Sequence, residues 1–429
     1  MRNDPVQAQI ARQLSAEPKL VTYLFTKAGV RKVPLSGTFE LTPRCNFNCK
    51  MCYVHLSKEE QEARGRELTA AEWIALGEEC SKQGMLFLLL TGGEPLIRPD
   101  FREIYLGLKK LGLILSINTN GSLIDDEMIE FLKANPPYKL NITLYGSSPE
   151  VYNEVNGNPA AFEKTYRAIK ALKEAGLAVK LNCSTTQYNR DDVGNIYNLA
   201  ADLNIHTQIA EYMFPPMRIS AESAGKAVRL SAKEAGREMF LNIKRRSYDE
   251  KLYLMRLRKV ASGIKVIDED AECLDVPTAE TLTATEHIRC RAGSCAFWVS
   301  WDGKLSPCGM MVEPSCSITE LGFAEAWERV CEATRAIMMP PKCTNCDKRF
   351  ACVVCAASTY CETGCFGKDE PTYICEMIEE YLRIVHEEYE RLLKEGAYED
   401  ILKEEAEARE KALAAAEAQA KPEAEGKKE

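Results

Sequence analysis

The stretch TPRCNFNCKMC, residues 42–52, sets Cys45, Cys49 and Cys52 in one tight loop with no fourth cysteine beside them. A closed tetrahedral zinc site, or an iron–sulfur cluster held wholly by protein, takes four protein ligands. Three thiols therefore imply a metal centre with one valence left for something else. Further along stands TGGEP (91–95). There Gly92 and Gly93 let backbone approach a ligand, exposing peptide groups to a charged amino group, and Glu94 adds a carboxylate. Taken alone, GGEP also reads as a turn before a helix. A second set of cysteines crowds the C-terminal third: Cys290, Cys295, Cys308, Cys343, Cys346, Cys352, Cys355 and Cys375, with Cys361 and Cys365 beside them. CxxC pairs such as Cys343/Cys346 and Cys352/Cys355 suit structural zinc as well as iron.

The elements that must position these residues follow from periodicity. Short β-rich runs occur at 37–42, 85–91, 113–119, 139–145, 177–185 and 206–212. Between them lie segments with three-to-four apolar spacing at 68–83, 100–112, 125–134, 160–176 and 191–204. Alternating strand and helix predicts parallel pairing through right-handed crossovers, with the loops after the strands carrying the chemistry. Six such units predict an α/β fold, a partial (β/α)6 TIM-like barrel, with a small irregular cysteine-rich iron–sulfur domain at the C-terminus. The expected divisions are a lead-in at 1–35, the barrel at 36–220, a helical connection at 221–285, the cysteine-rich domain at 286–380 and a charged helix with a low-complexity tail at 381–429. The cysteine-rich stretch is poor in long helical pattern and reads as too irregular to fold on apolar burial alone, so metal is expected to organise it. An amphipathic helix is expected at 376–403.

Composition narrows the classes. Eighteen cysteines in 429 residues amount to about 4%, well under a disulfide scaffold. The start lacks a secretory signal, and no apolar run approaches the roughly 20 residues of a bilayer span. The expectation is a cytoplasmic protein without a membrane partner, in a reducing compartment where clustered cysteines mean metal. A net charge of −9 and the lack of a basic run argue against a nucleic-acid partner. With only His55, His206, His287 and His386 present, no histidine–carboxylate arrangement for acid–base work is legible.

CNFNCKMC followed by TGGEP resembles the radical S-adenosylmethionine (SAM) superfamily. That resemblance implies a [4Fe–4S] cluster on Cys45, Cys49 and Cys52 whose fourth iron is chelated by SAM, and reductive cleavage of SAM to a 5′-deoxyadenosyl radical. INTNG (117–121) resembles the family's fourth-strand segment near the SAM ribose, making Asn118, Thr119 and Asn120 candidates. ITLYG (142–146) stands where relatives often carry Ser-Leu-Asp-Gly, with Thr143 for the serine and Tyr145 for the acid; Asn182 is a further candidate. For each polar strand residue, an interior hydrogen bond is the plainer alternative. The C-terminal cysteines resemble the SPASM module. This implies two auxiliary [4Fe–4S] clusters, one on Cys290, Cys295, Cys308 and Cys355 and one on Cys343, Cys346, Cys352 and Cys375. Two residues separate Cys352 from Cys355, where that pattern has three.

Cys80 and Cys331 lie in helical patterns and read as buried residues. Cys183 and Cys273 are candidates for returning a hydrogen atom to a substrate radical, with a core role favoured for Cys183. The function expected from the resemblance is a radical SAM oxidoreductase that modifies a peptide or protein substrate, by cross-linking or side-chain oxidation. An electron donor such as ferredoxin or flavodoxin supplies it, and the auxiliary clusters carry electrons away. Only about 35 residues precede the first strand, so no N-terminal peptide-recognition domain is expected. The alternatives are a sulfatase-maturase-like enzyme, although Gly309 follows Cys308 where that branch has an acid, a small-molecule radical SAM dehydrogenase, and a non-catalytic iron–sulfur electron carrier.

Overall fold

A computed structural model describes residues 19–215, 228–247, 249–263, 290–404 and 406–407. Six parallel strands, β1 (Ser36–Glu40), β2 (Phe87–Thr91), β3 (Ile114–Thr119), β4 (Lys139–Thr143), β5 (Val179–Ser184) and β6 (His206–Ala210), follow one another across the sheet with helices between them. This is the partial TIM-type barrel that the alternating pattern predicts. Two of these helices begin where a polar side chain satisfies free backbone donors: Thr69 and Glu72 form a capping box, and Asp125 accepts from Met128 N. Alternate strand residues Leu88, Leu90, Leu115, Ile117, Leu140, Ile142 and Leu181 pack with Trp73, Ile104, Leu108, Leu132 and Ile169 of the helices into the main core.

The opposite face of the sheet is polar. Register aligns Asn118 with Asn141, Asn141 with Lys180, and Lys180 with His206; two residues on, Thr143, Asn182 and Gln208 form a second row.

The structure departs from the sequence expectations at several points. The sheet does not stop at six strands. β7 (Ala296–Val299) pairs parallel with β1, and β8 (Lys304–Ser306) and β9 (Cys316–Ser317) follow antiparallel. The cysteine-rich segment thus begins inside the barrel sheet. It also contains the helix Phe323–Arg335, whose stripe of Phe323, Trp327, Val330 and Cys331 is buried. Reading the region for its cysteines hid that period. The helix Pro149–Asn156, started by Ser148 and stopped by Gly157 at φ +72°, lies in a stretch to which the periodicity assigned no element. INTNG ends the third strand, not the fourth. The expected helix at 376–403 runs Thr372–Lys394 and is interrupted at Gly396, whose φ is +79°.

A second core joins Leu257, Met311, Ile337, Met339, Cys343, Ile374, Met377, Tyr381 and Val385, drawn from the helices Glu250–Ala261 and Thr372–Lys394 and the cysteine-rich loops. That module therefore has a substantial apolar core of its own. Among the described residues no helix is long and apolar enough to cross a membrane.

One buried ion pair fastens the module to the barrel. Arg229 donates to both oxygens of Glu362 at 2.6 and 3.2 Å, the two side chains being 11% and 6% exposed, and its guanidinium lies 3.7 Å over the Tyr373 ring. Tyr212, just past β6, donates to the same carboxylate at 2.9 Å. Removing one partner of such a pair strands a buried charge. Arg229→Met is expected to cost about 3–5 kcal/mol. Arg329→Met, at an exposed ion pair with Glu325, should cost less than about 1 kcal/mol when both variants are unfolded in urea.

Candidate active site

The cysteine loop is held from several sides before any ligand enters. Leu41 N donates to Thr91 O at 2.8 Å, Leu56 N to Pro43 O at 3.1 Å and Lys50 N to Val155 O at 3.1 Å. Arg98, its side chain 5% exposed, donates to Leu41 O at 2.8 Å and Leu68 O at 3.0 Å and pairs with Asp100 and Glu67. Glu67 in turn binds Arg44 at 2.8 Å. Phe47 is buried edge-on to Tyr152, and Met51 packs with Val155, Met213 and Val228.

Backbone donors face the sulfurs: Phe47 N lies 3.3 Å from Cys45 Sγ and His55 N lies 3.2 Å from Cys52 Sγ. Burial is the main force pushing the Cys45 thiol up to about 12, with Glu94 and Cys52 adding to it. Cys49 is raised by burial and then by Cys52 and Cys45. Three buried sulfurs that each resist carrying charge fit a cationic iron–sulfur centre, which favours the thiolates and leaves N–H···S bonds to tune them. Among the described residues no three His, Cys, Asp or Glu groups close on a single-ion position. A cubane cluster, with one thiolate per iron, spreads its cysteines around a wider body.

The GGE turn docks backbone to backbone on this loop. Gly93 N donates to Thr42 O at 2.7 Å and Glu94 N to Arg44 O at 2.9 Å. A Cβ on Gly92 would lie 2.6 Å from Thr42 O, and one on Gly93 would lie 2.4 Å from Arg44 O. The glycines are thus required for the approach of the loop itself. Of the peptide groups read as facing a ligand, the Gly93 N–H is instead engaged by the loop.

Glu94 is fully buried. It accepts from Thr119 Oγ1 at 2.8 Å, Asn120 N at 2.7 Å and Leu96 N at 3.0 Å, while burial raises its carboxyl to about 7. Its carboxylate ties the end of β3 to the turn. Asn120 continues the chain of contacts through Asn46 Oδ1 at 2.9 Å. Thr119 and Asn120 are thereby engaged in the loop scaffold, whereas Asn118, Thr143 and Asn182 lie on the polar face. Asn118 Oδ1 accepts from Asn141 Nδ2 at 2.8 Å. The oxygens Asn141 Oδ1 and Asn182 Oδ1 are buried without a hydrogen-bond partner. Each such acceptor costs about 1–3 kcal/mol unless a ligand or water satisfies it.

Tyr145 packs beside Cys49, and burial, then Cys49 and Cys183, raises its hydroxyl well above the usual phenol range. Cys183 is 3% exposed in the main core, with Asn189 Nδ2 3.5 Å from its sulfur, so it faces the helices and not the polar interior. This removes it as a hydrogen donor to that interior. Cys273 lies outside the described residues. Cys80 and Cys331 are fully buried on helices.

In the C-terminal module, Cys343, Cys346, Cys352 and Cys375 lie close enough to perturb one another: burial raises Cys343 to about 11, and Cys375, Cys352 and Cys346 add to it. Cys290 likewise influences Cys295, which burial raises to about 11, and Cys355, which burial also raises. Cys308 packs with Cys355 against the second core. The surplus cysteines have other neighbours: Cys361 Sγ lies 3.4 Å from Met310 O, and Cys365 Sγ lies near Thr363 and Asp369.

After Cys308, a Cβ on Gly309 would lie 2.8 Å from the Trp298 ring, so the indole occupies the place of any side chain there. The same indole donates from Nε1 to the buried Glu40 at 3.0 Å. Glu40 lines a cleft of about 490 Å³ between the cysteine loop and the β7–β8 hairpin, with Tyr53, Leu56, Arg64, Ser300 and Trp301. Sequence reading passed over Glu40, Arg98, Lys180 and Gln208. A buried charge inside an apolar strand was the available signal for Glu40 and Lys180; Arg98 and Gln208 carried none.

Residues 39–200 match the family described as the Radical SAM superfamily. The AdoMet-dependent heme synthase of Methanosarcina barkeri is 28% identical over 342 residues, covering 78% of this chain and 94% of that protein. The enzyme of the same name from Oleidesulfovibrio alaskensis is 26% identical, covering 78% and 85%. Among solved structures, native anSMEcpe with bound AdoMet superposes with a TM-score of 0.60 at 17% identity, covering 84% of this chain and 99% of that one. Streptococcus suis SuiB bound to S-adenosylmethionine gives 0.57 at 16% identity, covering 79% and 77%. These structural likenesses concern the fold.

Gly93→Ala is expected to push the turn off the loop at a cost of about 1–3 kcal/mol and to lower iron and sulfide bound per chain after anaerobic reconstitution. Gly194→Ala, where an added Cβ meets nothing within 4 Å, should leave both values unchanged.

Proposed function

We propose, from the match of residues 39–200 to the Radical SAM superfamily, that this chain binds SAM at the open iron of a [4Fe–4S] cluster held by Cys45, Cys49 and Cys52, and oxidises a small-molecule substrate. When bound, the cluster and SAM together supply an electron and a 5′-deoxyadenosyl radical able to abstract hydrogen. The single observation that carries the reading is the docking of the three-cysteine loop on the GGE turn through Gly93 N and Glu94 N, at the C-terminal end of the parallel strands.

The chain's own residues do the positioning. Phe47 N and His55 N hold the sulfurs, Glu94 fixes the end of β3, and Gly92, Gly93, Asn118, Thr119, Asn120, Thr143 and Asn182 make up the surroundings of the cofactor. Cys290, Cys295, Cys308 and Cys355 would hold one auxiliary cluster and Cys343, Cys346, Cys352 and Cys375 a second, in the manner of a SPASM module, giving three clusters in all. The cleft beside Glu40 lies between the cysteine loop and the hairpin leading to Cys308, where a substrate would meet both.

The heme synthases are matched over most of their length, which supports a small molecule, of the kind such enzymes convert, over the expected peptide. Peptide or protein modification stands as the second reading, favoured by the shared fold with SuiB, which has been seen bound to its precursor peptide. The sulfatase-maturase variant is disfavoured by Trp298 pressed on Gly309. Ferredoxin or flavodoxin remains the electron donor that this chemistry calls for.

Reconstituted protein given SAM and dithionite is expected to release 5′-deoxyadenosine, and Cys49→Ala to abolish that release. Cys346→Ala should keep SAM cleavage but stop substrate turnover. No 5′-deoxyadenosine from the unsubstituted chain would leave an iron–sulfur electron carrier. Full turnover by Cys346→Ala would remove the electron-exit role of the second auxiliary site.

A further inference from the structure

The helix Lys19–Arg31 lies over Cys295, which is buried in a small core with Phe25, Ala28 and Leu35. A Cβ on Gly29 would lie 3.8 Å from Cys295 Sγ, so the helix backbone itself runs past the sulfur. Arg291, in the turn between Cys290 and Cys295, sets its guanidinium 3.5 Å over the Phe25 ring. The other thiols of this set face backbone donors: Ala292 N lies 3.5 Å from Cys290 Sγ, Met310 N 3.5 Å from Cys308 Sγ and Ser358 N 3.4 Å from Cys355 Sγ. N–H groups aimed at sulfur suit the thiolate ligands of an iron–sulfur cluster, as in the loop after β1. The outer face of the helix is about one helix diameter, or 10 Å, from Cys295 Sγ.

That outer face is apolar and basic. Leu20, Tyr23 and Val30 are 67%, 55% and 55% exposed, with Lys27 and Arg31 exposed beside them at helical spacing. From Lys19 to Phe39 the sequence has four cations, Lys19, Lys27, Arg31 and Lys32, and no carboxylate, in a chain of net charge −9. Among the described residues no carboxylate pairs with Lys27 or Arg31, and Lys27 Nζ donates to Tyr23 OH at 2.7 Å. The helix Phe323–Arg335 borders the C-terminal end of this face, Trp327 Nε1 donating to Lys32 O at 2.8 Å, and intersperses Arg329 and Arg335 with its glutamates. An exposed apolar stripe marks a contact surface, and cations along it select a partner of negative charge. Redox partners meet over small interfaces, under about 1,200 Å² in all, so one helix face and its rim suffice. We propose that this face docks an acidic one-electron carrier of the ferredoxin type, placing it against the site of Cys290, Cys295, Cys308 and Cys355. This rests on the reading of those cysteines as a cluster site and adds where the electron partner of that site sits.

The test is anaerobic calorimetric titration of the cluster-reconstituted full chain with an oxidised plant-type [2Fe–2S] ferredoxin, an acidic protein, with thermal unfolding measured alongside. Binding is expected at about 50 mM salt and should weaken about tenfold at about 300 mM, as the screening length shrinks. Lys27→Glu/Arg31→Glu should weaken binding at least about tenfold at the lower salt. Lys164→Glu/Lys233→Glu makes the same change in net charge at exposed sites on two other helices, and should weaken it less than about twofold. Equal losses in the two double variants overturn the inference. So does an unsubstituted protein that does not bind ferredoxin, a measurement that requires no variant to fold. Phosphatidylserine vesicles bound more tightly than ferredoxin, with the same dependence on Lys27 and Arg31, overturn it in favour of a membrane surface. Cys295→Ala tests the underlying reading separately: it should lower iron bound per chain and leave ferredoxin affinity within about twofold, since the contact is made by the helix face. Iron unchanged by that variant would remove the cluster reading, and the electron carrier with it, even where the basic face binds.

Discussion

The constraint on which the site depends is the distance between two backbones. The turn after β2 lies so close to the loop after β1 that a methyl group on Gly93 would sit 2.4 Å from Arg44 O. That closeness lets Gly93 N and Glu94 N take the Thr42 and Arg44 carbonyls, and it sets the cysteines against the end of β3. Glu94 then passes the constraint on, since its buried carboxylate holds Thr119 and Asn120, and Asn120 holds Asn46 between two of the cysteines. A flexible loop of three thiols becomes a preorganised one without any metal in the argument.

The sheet separates two tasks by the alternation of its strands. One face supplies Leu88, Leu115, Leu140 and Leu181 to a dry core, and the other carries amides, Lys180 and Glu40. Polar residues on the second face are costly unless paired, and most are paired with one another across strands. The unpaired oxygens of Asn141 and Asn182 mark where the protein's own groups run out. The walls of the cleft beside Glu40 mix charged and apolar side chains.

Much of this was legible in the sequence. Strong period-two and period-3.6 patterns fixed the six parallel units to within a few residues, because each element buries a simple stripe. The spacing of Cys45, Cys49 and Cys52 alone singled out the loop on which the GGE turn docks. The support of Glu94 was not legible: only the fold shows its carboxylate accepting from Thr119, Asn120 and Leu96. β7 was missed because AFWV is four residues long and its partner lies far away in the chain. The helix Phe323–Arg335 was missed because attention to cysteines displaced attention to period. Lys180 and Gln208 are ordinary strand residues until register puts them side by side.

The pairing of β7 with β1 also bears on how the chain is made. Trp298 on β7 contacts Glu40 on β1 across 258 residues of sequence. Until the ribosome has delivered residues 296–299, one edge of the nascent barrel has an open row of peptide groups beside the cysteine loop. The half that holds Cys45, Cys49 and Cys52 is thus completed by the half that carries the other thiols. A product cut short before the hairpin would be a sticky sheet rather than a smaller folded domain.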